Sequence, residues 1–184
     1  MSRNLPAWTR RLAREMFRFA RARGGATAVE FALIAPPFLA TLIAILEVTI
    51  FLFGQMVMQD AANQAARYFM TGQAQNNNWS ATTVVNKVCQ SALFNCSNMF
   101  IAVQNYASFA AANTSAPGMY SNGQALAQSG YTYDPGTPGD VMVVQLVYAW
   151  PDVLGPLGFN LGNLPNGDIE MMGVSAFRVE PYSG

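Results

Sequence analysis

The sequence predicts an α+β protein: a long N-terminal transmembrane helix that extends into a periplasmic head, with a short helix and a small antiparallel sheet. Three observations carry this. Residues 26–53 hold two carboxylates and no Lys or Arg, more than the roughly 20 apolar residues that a spanning helix needs. The stretch QMVMQDAANQAARYFM (55–70) continues with alanines at 61, 62, 65 and 66, which are strong helix formers. Beyond residue 97 the pattern changes to strands, the clearest being VMVVQLVYAW (141–150) and IEMMGVSAFRV (169–179), both rich in β-branched or bulky apolar residues and bounded by Gly or Pro.

Composition supports the same division. Of the 184 residues 52% are hydrophobic and 11% charged, against roughly 25% charged in ordinary soluble domains. The net charge of zero hides an asymmetry. Before Ala26 stand seven arginines and one acid, Glu15; from Ala26 onward stand three basic residues and nine acids. A basic flank beside a lipid-length run follows the positive-inside rule and holds the N-terminus in the cytoplasm, so no nucleic-acid partner is expected.

Three regions follow: a basic cytoplasmic leader over 1–25, a transmembrane helix with a periplasmic extension over 26–72, and an α+β head over 73–184. In the leader, Trp8 to Arg23 forms either a basic amphipathic helix or an unstructured segment; Gly24-Gly25 breaks any helix there. Pro36-Pro37 predicts a kink or local unwinding near Leu33 to Pro36, because each proline lacks a donor and crowds the preceding turn. Glu30 and Glu47 are 17 residues apart, about 25 Å along a helix axis. Glu30 therefore falls near the cytoplasmic end; Glu47 either reaches the outer interface, sits protonated, or serves a function. The alanine spacing after Gln55 allows close helix approach, and Gly72 is a natural stop.

A second helix is expected from about Ser80 to Leu93, with Ser80 as N-cap and Val84, Val85, Val88 and Leu93 on related faces. Cys89 and Cys96 lie on the outer side, where thiols oxidise. They form a disulfide or remain free thiols. If bonded, the helix must end between them, near Phe94-Asn95, because cysteine Cα atoms must come within about 7 Å. A first strand runs through Phe100 to Tyr106. A polar, glycine-containing loop fills 113–139, and 151–167 is irregular. Hairpin-compatible gaps favour antiparallel pairing.

No catalytic residue, cofactor site or metal site is expected. The chain has no histidine, which removes the commonest general base and metal ligand. Asp134, Asp140, Asp152 and Asp168 each stand beside Gly or Pro, or near them in turns, without the close acid spacing of a calcium loop. The segment GNLPNGD (162–168) precedes a strand and lacks the lysine of a phosphate loop.

The specific signal lies at the head of the span: basic leader, Gly25, four small or apolar residues, Glu30, Phe31, then the apolar run. This order resembles the processing site of type IV prepilins. GATAVEFAL, the interrupted span, the Ala-rich DAANQAARY and the ending SAFRVEPY (175–182) are together similar to the TadE-like family, minor pseudopilins of the tight-adherence (Tad/Flp) pilus system. The resemblance covers residues 22–70 and the end of the chain; 73–140 carries no motif of the family. A major pilin of this system would be far shorter and would favour Tyr after the glutamate.

The resemblance implies a structural, non-enzymatic protein whose partners are the inner membrane, a prepilin peptidase, other pilins or pseudopilins, and the Tad assembly machinery. Cleavage would fall between Gly25 and Ala26. Glu30 and Phe31 would serve assembly, Glu30 pairing with the Ala26 amine of a neighbour. The head, stapled by Cys89 and Cys96, would be periplasmic and contribute to pilus assembly and adhesion. The alternative is an uncleaved single-pass membrane protein whose outer domain binds a ligand or partner, with Gly25 only a linker; an anchored enzyme fits worse, for want of histidine and clustered acids.

Overall fold

A computed structural model describes residues 25–89, 93–121, 123–152 and 161–182. The arginine-rich segment from Trp8 to Arg23 lies outside the described residues, as does 153–160 of the irregular stretch. The chain divides into two compact units, one reaching Ile45 and one starting at Leu46. The fold is α+β: one long apolar helix, short helices and small antiparallel sheets.

Helix α1 spans Ala26–Met70 and contains both prolines. The unwinding expected around Leu33 to Pro36 does not occur. Prolines 36 and 37 each lack one donor, but their carbonyls still accept, and the Thr41 hydroxyl donates to the Pro37 carbonyl at 2.9 Å. The helix ends where the backbone turns left-handed at Gly72, φ 74°, a conformation glycine adopts without steric cost. The Tyr182 ring packs over this glycine. The Glu180 N–H donates to the Met70 carbonyl, satisfying one of the helix's terminal acceptors.

A single turn, α2 (Gln73–Asn76), leads to α3 (Ala81–Val88). The Ser80 hydroxyl caps α3 by accepting from the Thr83 N–H at 3.2 Å, and Val84, Val85 and Val88 are buried. The helix stops five residues earlier than its apolar spacing indicates. Cys89 is already extended, φ −71° and ψ 130°, and is disulfide-bonded to Cys96 with Cα atoms 5.8 Å apart, so the helix ends ahead of both cysteines and not near Phe94-Asn95.

Three strands form the main sheet: β1 (Met99–Tyr106), β4 (Val141–Trp150) and β5 (Ile169–Arg178), in the order β1-β4-β5 and all antiparallel. Between β1 and β4 the loop expected over 113–139 contains a minimal hairpin of β2 (Tyr120–Ser121) and β3 (Gln124–Ala125). Central β4 is buried along nearly its whole length, whereas edge β5 alternates. That difference matches a nearly continuous apolar run against one interrupted by Glu170, Ser175 and Arg178.

The core fills the face of the sheet that carries Met142, Val144, Leu146 and Met171. Against it lie Met58, Ala62, Ala65 and Phe69 of α1, and Val84 and Val88 of α3. The alanines after Gln55 thus pack within the chain's own core, where their small size lets the helix approach the sheet. Each fully buried large side chain here contributes about 1.5–3 kcal/mol. Phe94, Tyr148 and Trp150 close one end of this core by edge-to-face contacts, the nearest at 5.1 Å between ring centroids.

Helix and sheet meet most closely at Gly173, where a Cβ would strike the Met58 carbonyl and crowd the Ala62 methyl. Both sheet edges are met by side-chain amides. Gln59 donates to the Val174 carbonyl at 2.6 Å and accepts from its N–H at 3.2 Å, and Gln55 donates to the Met172 carbonyl. On the other edge Gln128 brackets Ile101 in the same two-bond manner, at 2.7 and 3.0 Å. The neighbouring Val103 bonds to the backbone of Thr132 and Asp134.

Two outcomes are expected. Gly173→Ala forces the helix off the sheet and should destabilise the protein by about 1–3 kcal/mol, read as a lower midpoint in chemical unfolding of the detergent-solubilised chain. Gln59→Met keeps the side chain's bulk but leaves the Val174 N–H and C=O unpartnered. It should lower stability by about 1–3 kcal/mol in the same measurement, while an equal midpoint would show that this amide bracket contributes nothing.

Candidate functional site

Ala26 opens α1, with Gly25 immediately before it. Gly25 is exposed, with no atom within 4 Å of the position a Cβ would take. Glu30 and Phe31 follow one turn into the helix, and both are exposed, Phe31 at 72%.

From residue 27 to residue 45 the helix exposes apolar side chains around its circumference, Val29, Leu33, Ile34, Phe38, Leu39, Leu42 and Ile43 among them. At 100° per residue these positions leave no polar stripe, the pattern of a helix surrounded by lipid or by other helices. The helix is long and apolar enough to cross a membrane, its most apolar window is wholly unburied, and it is the one such helix among the described residues.

Glu30 is the only ionisable side chain between residues 25 and 46, and it has no ion-pair partner among the described residues. A carboxylate at the edge of an apolar run is costly unless it meets water or a cation. Glu30 is the fifth residue of α1, just beyond its first turn. The arrangement suits a carboxylate that receives an external cation.

Glu47 differs. In the unit that starts at Leu46 it is only 9% exposed, while its neighbours Leu46 and Val48 point outward. It belongs to the interior of that unit. The Cys89–Cys96 pair lies in the same unit, between α3 and β1. Gly25, Ala26, Glu30 and Phe31 thus share one helix end, and the cysteines form a separate staple.

Among the described residues no group of three or more acids, cysteines or histidines is placed to hold a metal. Two tyrosines of the head are perturbed. Burial pushes the Tyr133 hydroxyl up to about 12, and it donates to the Trp79 carbonyl at 2.7 Å. Tyr131 is also pushed up to about 12, by burial first and by the negative Glu170 second. The sequence reading passed over Tyr131 and Glu170. Period-two alternation in β5 would have set Glu170 on the face opposite Met171, away from the main core.

Residues 25–67 match the family model described as TadE-like protein. The match begins at the glycine that opens the site and ends within α1. No curated protein and no solved structure matches the chain. Over residues 25–67, then, the chain is similar to TadE-like proteins, a family whose function relates to the Tad pilus.

Proposed function

We propose that the protein is a minor pseudopilin of a Tad/Flp-type pilus, made with a leader that a prepilin peptidase removes between Gly25 and Ala26. The observation that carries this reading is a coincidence of boundaries: the TadE-like match starts at residue 25 and α1 starts at Ala26. The exposure of Gly25 supports it as well, since a peptidase must enclose the bond that it cuts.

Cleavage converts Ala26 into a free amine at the start of an apolar helix. When such helices pack side by side, the Glu30 carboxylate of one copy meets the Ala26 amine of the next. A buried pair of this kind contributes little net stability, but a register that leaves either charge unpaired costs several kcal/mol, of the order of 3–5. Glu30 therefore selects the stagger of neighbouring helices, and exposed Phe31 packs beside it. In this reading the protein sits in the inner membrane with its N-terminus cytoplasmic and its head periplasmic. It acts with other pilins and the Tad assembly machinery in building an adhesive pilus, in a structural role and without catalysis.

The first test is the mass of the N-terminus when the protein is produced with its peptidase. The expected species begins at Ala26; recovery of only the Met1 form would overturn the processing step and leave an uncleaved single-pass protein with a partner-binding domain. The second is Glu30→Ala, expected to insert in the membrane at the wild-type level and to abolish surface piliation. Glu30→Asp tests the geometry: it keeps the charge and should recover part of the assembly.

A further inference from the structure

From Thr49 to Arg67 one line of α1 points away from the head. Thr49, Phe53, Met56, Asp60, Asn63 and Arg67 follow one another at alternating steps of four and three residues, and all six are exposed. The opposite side of these turns carries Met58, Ala62 and Ala65 into the core. Steps of three and four keep side chains on one stripe of a helix, the spacing by which two helices pack lengthwise.

The line changes character halfway. Phe53 is 58% and Met56 71% exposed, apolar side chains that the head leaves uncovered. Beyond them stand Asp60 and Arg67, the only charged residues between positions 48 and 86. Neither forms an ion pair or a side-chain hydrogen bond among the described residues. They are too far apart to pair with each other along the helix: seven residues separate them by about 10.5 Å, whereas helical ion pairs form at spacings of three or four. Both line a concavity of about 430 Å³, together with Gln64, Tyr68, Thr71 and Gln73, which has room for a side chain from another molecule.

One negative and one positive charge, a single heptad apart on one seam, make the line complementary to itself. Copies that share one orientation in a membrane pack in parallel. A parallel pair in register sets Asp60 against Asp60 and Arg67 against Arg67, two like-charge contacts. A displacement of seven residues removes both and sets Asp60 of one copy against Arg67 of the other. The same displacement preserves the alternation of threes and fours, so seam still meets seam, and Met56 comes opposite Asn63. Exposed ion pairs add little affinity. Their part here is to choose the register, while the uncovered apolar side chains supply contact area.

We infer that this line is a docking surface for a second copy of the chain, laid parallel and displaced by one heptad, with Asp60 of one copy paired to Arg67 of its neighbour. The carboxylate enters the neighbour's concavity, where the Arg67 guanidinium meets it. The inference deepens the pilus reading by naming a partner, and rests on it only in taking copies to pack through their helices.

The test is disulfide cross-linking of the full-length chain in membranes. Two forms of different mass, one carrying Met56→Cys and the other Asn63→Cys, are produced together and oxidised. Both positions are exposed, both variants keep Asp60 and Arg67, and the native cysteines are already bonded to each other. The displaced pair should give mainly the mixed Met56→Cys–Asn63→Cys dimer; a pair in register would give each form linked to itself. Asp60→Arg on all copies, or Arg67→Asp on all copies, should lower the mixed dimer about fivefold, the scale of one exposed ion pair. Asp60→Arg and Arg67→Asp together reverse the pattern and should restore it. The inference is overturned if self-linked dimers dominate, if no cross-link forms, or if the double reversal fails to restore the yield. The membranes come from cells without the prepilin peptidase or the pilus machinery. A retained leader or lost piliation elsewhere then counts against the pilus reading, and a missing mixed dimer here counts against this seam.

Discussion

The head depends on the contact between the backbone of α1 and the backbone of β5 at Gly173. With no side chain in the way, the Met58 carbonyl comes down onto the strand. Only at that separation can residues as small as Ala62 and Ala65 be buried between helix and sheet. The larger Met58 and Phe69 then reach the sheet from either side of the alanines and fill the remaining space at the density of an ordinary core. The same proximity lets Gln55 and Gln59 reach the β5 backbone. Packing, edge hydrogen bonding and helix placement all follow from one missing methyl group.

Two solvents are written into one helix. Up to Ile45 apolar side chains face outward around the whole circumference; from Met58 onward Met58, Ala61, Ala62, Ala65, Ala66 and Phe69 are buried. The two carboxylates follow this division. Glu30 stands exposed at the start of the lipid-type segment, open to an outside partner, whereas Glu47 is folded into the unit that contains the sheet. Intramembrane and juxtamembrane carboxylates therefore need not share a role because they share a helix.

Much of the architecture was legible because single residues or uniform runs encode it. A lipid-length apolar run has few other uses, so the span could be read directly. Strand β4 was read with its observed limits because ten consecutive residues agree in character and Pro151 ends them. Ser80 was readable as a cap because its hydroxyl acts within one turn. What escaped depends on residues far apart in sequence. The end of α3 at Val88 falls short of its apolar spacing, next to the cysteine that is bonded to Cys96. The amide brackets of Gln59 and Gln128 look in sequence like any surface glutamines. Prolines 36 and 37 suggested a kink or local unwinding, yet the helix continues through both without unwinding. At the candidate site the processing motif was legible as a pattern of residue types. The influence of Glu170 on Tyr131 was not, since the two are far apart in sequence.

The amide brackets have a wider consequence. A glutamine side chain that accepts from a strand's N–H and donates to its C=O imitates the backbone of one more strand, and so occupies the place that an incoming chain would take. Proteins confined to a membrane meet one another at a much higher effective concentration than in free solution. Under that crowding an open sheet edge would invite cross-β stacking between heads. With Val174 and Ile101 each already engaged by an internal mimic, copies can be brought together by their helices while each head keeps its own fold. The glutamines act as insulation between two kinds of self-association, one useful and one ruinous.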